Sequence, residues 1–384
     1  MTALALIMVV ALGAVALRRV LPRYRYGLTG TCDWVEYWSA ARLMWSGQDP
    51  YDPDSMLRIQ RSVGSELPGP ILMWNPPWLL LWLSPVLFPS FPVSALGWMG
   101  LNIALLLVGA LLARGVIPAG TRLEPRAAWL AAGLFVPALF ALKSGQTSVI
   151  HLVGAAGFLW CATRGRDFVA GLFLALTSVK PHVVYLLWIV AAWWVVVRGR
   201  WWMAVGAATL LIGSAVITET LWPGVLADFR RAVAHPPLYW KTPTVGGLIR
   251  TLSPGIDPRW QFAPSLLVGS GTLAYLMVRR PSIDWRVVGP PILLLSVPTA
   301  AYGWSFDQIA LLPAWLSLVS GALDPGRSPK ARAGILATLI LIAAIAAAQS
   351  IRRSDEVTFF WFGPALGLAY MAWGCDDSTH FNNQ

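Results

Sequence analysis

Thirteen apolar runs separated by loops constrain this 384-residue chain more than any other feature. They lie near 2–17, 70–90, 91–113, 127–142, 147–163, 167–179, 183–198, 201–219, 262–279, 287–302, 308–322, 333–350 and 357–374. Twelve bilayer crossings at about 20 residues each would take roughly 240 positions, and the 57% hydrophobic share supplies about that many. Charged residues make up only 12% of the chain, against about 25% in a typical soluble domain, and the mean hydropathy is +0.61. A soluble globular domain, a coiled coil, a disordered chain and a small disulfide scaffold are all excluded. The expectation is an all-α polytopic membrane protein, with 1–384 forming a single integral membrane domain.

The net charge is +11, but its basic residues sit in short loops rather than on one soluble face, so no nucleic-acid partner is implied. Loops 114–126, 164–167, 198–200, 279–286 and 324–332 hold 3, 2, 2, 3 and 3 Lys or Arg. The alternate loops 143–146, 180–182, 221–261, 302–308 and 351–356 hold 1, 1, 5, 0 and 2, although one of them is long. The positive-inside rule therefore puts the first set in the cytoplasm. Segment 70–90 breaks the parity. Pro76-Pro77 cannot sit inside a regular helix, and Leu79–Leu87 alone is too short to cross. It reads as a re-entrant or interfacial element anchored by Trp74, Trp78 and Trp82.

About twelve spans remain, with both termini cytoplasmic and loops 18–90 and 221–261 outside. The first run reads as an uncleaved span, because Arg18-Arg19 rather than a small-residue cleavage site follows it. Arg18, Arg19, Arg23 and Arg25 then lie outside, against the rule. Either the topology differs, or these arginines face an anionic headgroup or a phosphate. Cys32, Cys161 and Cys375, and His151, His182, His235 and His380, lack metal-ligand or disulfide spacing, so no metal and no cofactor is expected.

The polar residues that sit awkwardly beside apolar spans all fall on the proposed outer face. They are Asp33 and Glu36, Lys143 and Gln146, Lys180 and His182, Lys241, and Tyr302, Trp304 and Asp307. Such a cluster near one bilayer boundary points to a site reached from the outer leaflet. Asp33 opens what reads as an amphipathic helix, with Tyr37 one turn on and Glu36 at the i+3 position. It is either an N-cap carboxylate or a general base; Glu36 reads as its solvated or paired neighbour. Lys143 and Lys180 end spans, so they either snorkel to the interface or bind a phosphate as point charges. Asp307 is either a cap or a site residue. Asp52-Pro53-Asp54 has metal-motif spacing but reads as a proline-fixed turn.

Taken in order, several segments resemble glycosyltransferase family 87, the polyprenol-phosphate-mannose-dependent mannosyltransferases of the GT-C superfamily. They are Asp33-Trp-Val-Glu-Tyr-Trp-Ser-Ala-Ala-Arg42, Ser46-Gly-Gln-Asp-Pro-Tyr-Asp-Pro53, Asn75-Pro-Pro77, Gly145-Gln146, Val179-Lys-Pro181 and Tyr302-Gly-Trp-Ser-Phe-Asp307. The resemblance implies a GT-C-like bundle with juxtamembrane helices in the first outer loop. It implies an inverting transfer of a sugar, mannose by family, from a polyprenyl-phosphate donor to a glycolipid or glycan acceptor. The site would face the extracytoplasmic side of a bacterial plasma membrane, among membrane lipids. Asp33 maps onto the family's catalytic aspartate. Glu36, Tyr37, Arg42, Asn75, Lys143, Gln146, Lys180, His182, Lys241, Tyr302, Trp304 and Asp307 are the expected substrate-binding set. Arg18, Arg19 and Lys180 are expected at the donor phosphate.

Two other function classes compete. A lipid or polysaccharide transporter would need polar residues at mid-span, and most runs here are clean. A lipid-carrier ligase or polymerase would favour large outer loops with paired Arg and His.

Overall fold

The computed structural model describes residues 33–117, 123–234, 240–352 and 354–374. The first apolar run, the Arg18–Arg25 cluster, Cys32, His235, Cys375 and His380 lie outside them. Within the described residues the chain is all-helical, with four short 3-10 segments and no strand.

Local chemistry explains many of the helix ends. Pro53, Pro125 and Pro329 sit in the first turns of their helices, where a missing N–H and a fixed φ carry no penalty. Asp52 accepts the Ser55 N–H at 2.8 Å, and Ser328 accepts the Ala331 N–H at 3.2 Å. The Asp52-Pro53-Asp54 turn is thus a helix start, with Asp52 as its N-cap. Gly199, at φ +66°, ends Tyr185–Arg198 in the left-handed region that a side chain would strain.

Among the described residues, five helices are long and apolar enough to cross a bilayer: Phe91–Arg114, Trp201–Leu221, Pro258–Arg279, Ser305–Leu323 and Pro329–Ile351. Their outer surfaces need lipid rather than water. Leu267 is 77% exposed and Ile340 59% exposed, and such apolar faces are what a hydrocarbon solvent accepts. The run expected as one span over 127–142 is broken. Pro125–Gly133 and Val136–Ser144 meet at a 66° bend, and together they make a sixth candidate crossing. Pro137 explains the restart: it has no N–H to donate and its ring disfavours helix in the preceding turn.

The Pro76-Pro77 segment behaves as its sequence demands. A ten-residue helix, Trp78–Leu87, starts immediately after the two prolines and rises only about 15 Å, half a bilayer core.

By backbone contacts the described chain forms two compact units. The first takes residues 33–105, 140–147 and 208–234. Its core is aromatic: Trp34 stacks on Trp98 at 4.5 Å and 7°, and the Trp34 indole N–H donates to Ser94. Helix Trp34–Trp45 is not amphipathic as expected; ten of its twelve residues are buried. The fully buried Gln60 closes the following loop, donating to Ile71 O at 2.7 Å and accepting the Ile71 N–H at 2.9 Å.

The second unit takes 106–139, 148–207 and 240–374 of the described residues. Its centre is Ser148–Ala162, buried on all sides except at Trp160. Neighbouring helices approach closely through glycine. A Cβ on Gly171 would lie 2.0 Å from Met203 O, and one on Gly206 would lie 2.0 Å from Phe168 O. Close approach through small residues is a main source of helix affinity in lipid, where apolar side chains gain little by leaving the solvent.

This crossing generates a prediction. Gly206→Ala forces two backbones apart and should destabilise the protein by about 1–3 kcal/mol. Gly213→Ala on the same helix meets nothing within 4 Å and should be neutral or slightly stabilising. Thermal unfolding of the two variants in one detergent compares them directly; equal midpoints would refute the close packing.

Candidate functional site

In the first unit, Asp33 occupies the N-cap position of Trp34–Trp45, with φ −63° and ψ −13°, but its carboxylate makes no capping bond. Instead Oδ2 accepts a 2.7 Å hydrogen bond from Gln146 Nε2, while the Asp33 N–H donates to Ser144 O at 2.8 Å. Gln146 is held in turn. Its Oε1 accepts the Tyr37 hydroxyl at 3.1 Å, and its backbone carbonyl accepts Asn102 Nδ2 at 3.3 Å. The Tyr37 oxygen also lies 3.2 Å from Thr147 Oγ1 and 3.3 Å from Asn75 Oδ1. With its carbonyl end facing Tyr37, the Gln146 amide can present only N–H to the carboxylate; the flipped amide would set oxygen against oxygen.

Around this chain the backbone is pinned. Trp98 donates to Gly145 O at 2.8 Å, and the Tyr51 hydroxyl donates to Asn75 O at 2.9 Å. Glu36, read as solvated or paired, is buried at 7% exposure. It lies beside Tyr37, whose hydroxyl is pushed well above its usual pKa by burial and by the Glu36 charge.

Two basic residues of the expected set differ in this unit. Lys143 is exposed at the end of Val136–Ser144. Arg42 instead serves the fold. Its Nη2 donates to Phe88 O at 2.5 Å and Pro89 O at 2.6 Å, and the guanidinium packs over Trp38 at 4.7 Å. It caps the carbonyl end of Trp78–Leu87, where a cation also meets the favourable pole of the helix dipole.

The second unit carries a buried ion pair. Lys180 Nζ lies 2.7 Å from Asp307 Oδ1, their side chains 11% and 3% exposed. Ser148 Oγ donates to the same oxygen at 2.6 Å, and the Trp304 N–H donates to Asp307 Oδ2 at 2.9 Å. Asp307 is therefore both a cap for the 3-10 turn Ser305–Leu311 and the partner of a lysine. Lys180 does not snorkel outward; its ammonium also sits over the Phe306 ring at 4.5 Å.

Aromatic rings gather in this unit. His182 lies 4.2 Å from Tyr302, and Trp240 packs edge-on to Trp304 at 5.4 Å. Burial pulls His182 down to about 4, with Asp307 opposing and Lys180 assisting. The imidazole is then neutral near pH 7, with one N–H donor and one acceptor. Lys241, next to Trp240, is exposed. Arg18 and Arg19 lie outside the described residues.

Ser148, Thr147 and Glu356 carry no signal in the sequence. Glu356 accepts the Ser305 N–H at 3.0 Å and the Ser305 hydroxyl at 3.1 Å, which fixes the start of the Asp307 turn. A serine or threonine opening a helix reads as a cap, so only the matching partner in space separates it from a site residue.

Breaking the buried pair leaves a charge without its partner. Lys180→Met and Asp307→Asn should each destabilise by about 3–5 kcal/mol. The double variant should lose clearly less than the sum, since the remaining groups are neutral. Additive losses in denaturation of the purified variants would show that the two side chains do not interact.

With this geometry in hand, comparison with known proteins gives one result. A sequence model of glycosyltransferase family 87 matches residues 74–288, more than half of the chain. No curated protein and no solved structure shows a significant match. The matched segment includes Asn75-Pro76-Pro77, Gly145-Gln146 and Lys180-Pro181, while Asp33 and Asp307 lie on either side of it. The chain therefore belongs to glycosyltransferase family 87 and is a polytopic membrane glycosyltransferase.

Proposed function

We propose that this enzyme moves a sugar, mannose by family resemblance, from a polyprenyl-phosphate donor to a lipid-linked or glycan acceptor with inversion. Asp33 is the general base. The observation that carries this reading is the Asp33 carboxylate itself: it does not make the capping bond its position invites, and the Gln146 amide orients it at 2.7 Å. The acceptor oxygen attacks the anomeric carbon and gives its proton to Asp33. The bond from that carbon to the phosphate oxygen breaks on the opposite face, and polyprenyl phosphate leaves with the electron pair. One base and one displacement give inversion. Phosphate needs no general acid; it needs a cation near the developing charge. Lys143, exposed and one residue before the Ser144 carbonyl that holds the Asp33 N–H, suits that role. Lys180 is the second candidate, although a phosphate there would share the ammonium with Asp307. The Arg18–Arg25 cluster is the third.

Asp33→Asn keeps the shape and removes the basicity. General base catalysis typically contributes about 10²–10⁴-fold, so transfer should fall by at least the lower end of that range in a protein that folds normally and still binds donor. Glu36→Gln should lose much less. Near-normal turnover in Asp33→Asn with a dead Glu36→Gln would move the base one helical turn.

The orientation belongs to the same proposal: about twelve spans in a bacterial plasma membrane, both termini cytoplasmic, the reaction on the extracytoplasmic side. The exposed Arg58 and Lys330 test it. In a chain whose native cysteines are serine, Arg58→Cys should react with an impermeant maleimide on intact cells. Lys330→Cys should react only after permeabilisation, and the reverse pattern would overturn the orientation.

A further inference from the structure

The first unit also contains a half-open cavity of about 240 Å³, whose lining includes Trp45, Gly47, Gln48, Trp222, Pro223 and Asp228. It lies at the far end of the Trp34–Trp45 helix from Asp33, about 18 Å along the axis at 1.5 Å per residue. Two turns form its walls. One follows Trp45, with Gly47 at φ +70° and the Gln48 N–H on Leu43 O at 2.9 Å. The other joins Trp201–Leu221 to Val225–Val233, with Gly224 at φ +93°. The Glu219 carboxylate accepts the Gly224 N–H at 2.8 Å and the Leu226 N–H at 3.1 Å. Arg231 bridges the walls, pairing with Asp228 and, at 3.4 Å, with Asp49.

The lining selects its ligand by chemistry. An anion would meet the Asp228 carboxylate, and the nearby guanidinium of Arg231 already faces two carboxylates. A lipid chain would offer no hydrogen bond to the Gln48 carboxamide and would strip water from the Asp228–Arg231 pair. A pyranose ring presents C–H groups that pack on indole and hydroxyls that suit a carboxamide and a carboxylate. The volume falls below the range of about 300–1,000 Å³ that takes drug-sized ligands, in keeping with a single ring.

We propose that this cavity binds one pyranose ring of a glycan, between Trp45 and Trp222, with its hydroxyls on Gln48 and Asp228. The proposal rests on the glycosyl-transfer reading and deepens it. A ring held about 18 Å from Asp33 is not the reacting one, so the acceptor is an oligosaccharide whose remote part is gripped here. Binding energy from remote parts of a substrate positions the reacting end.

Saturation-transfer NMR on the full-length protein in detergent, with mannotetraose and maltotetraose as probes, tests it. The wild-type protein should saturate ring protons of at least one probe. Trp222→Ala should weaken that probe's binding by roughly two- to tenfold, the effect of one aromatic stacking contact. Gln48→Ala, at an exposed position, should weaken it by a similar factor with the fold intact. Lys330→Ala, exposed and outside the cavity lining, should leave binding unchanged. No saturation transfer to either probe overturns the proposal, as does undiminished binding in both cavity variants or its loss in Lys330→Ala. Failure of the transfer reading looks different: the cavity variants would still lose probe binding while wild-type protein transferred no sugar from donor.

Discussion

A charge buried away from water needs its counter-charge beside it, and the Lys180–Asp307 pair is where the second unit obeys that constraint most visibly. Ser148 and the Trp304 N–H add donors to the same carboxylate, so each Asp307 oxygen carries a hydrogen bond. The pair joins the end of one apolar segment to the start of another, and the neighbouring aromatic rings of Phe306, Tyr302 and Trp304 are set by the same turn. Buried ion pairs are weak evidence for stability when compared with apolar replacements. What this one contributes is position: it fixes where the turn carrying the aromatic residues begins.

The first unit solves a different problem, that of orienting a carboxylate from a segment distant in sequence. A neutral carboxamide serves this purpose. Gln146 gives Asp33 a donor, and Tyr37 restrains the other end of the same amide. A lysine at position 146 would hold the carboxylate more strongly and would also lower its appetite for a proton. The arrangement explains why Tyr37, Asn75 and Gln146, far apart in sequence, belong to one constellation while Arg42, in the same motif, serves the helix end instead.

Much of this is legible in the order of residues alone. Low charge and clean apolar runs point to an all-helical membrane protein, and Pro76-Pro77 marks the start of the short helix Trp78–Leu87. The residues that collect around Asp33 and Asp307 are also visible, because polar groups beside apolar runs have few bland explanations. What sequence cannot supply is partnership. Period and spacing suggest a half-buried helix after Asp33, whereas tertiary packing buries both faces. Lys180 at a span end reads as snorkelling until the structure brings Asp307, 127 positions later, within 2.7 Å. The bend between Gly133 and Val136 is hidden for a related reason: hydropathy is continuous across it, and only the local backbone chemistry of Pro137 interrupts the helix.

The clasp between Gln60 and Ile71 has a consequence for how such chains diverge. One side-chain amide pairs with both backbone groups of Ile71, so the ends of the intervening segment are closed independently of what the segment contains. Loop closure entropy rises only slowly with length, by about 0.6 kcal/mol per doubling. Residues 61–70 can therefore lengthen, shorten or acquire a new surface sequence without moving Asn75 or the Pro76-Pro77 helix start. Diversification of this enzyme's surface has a ready address there, held apart from the Tyr37, Asn75 and Gln146 constellation by a single glutamine.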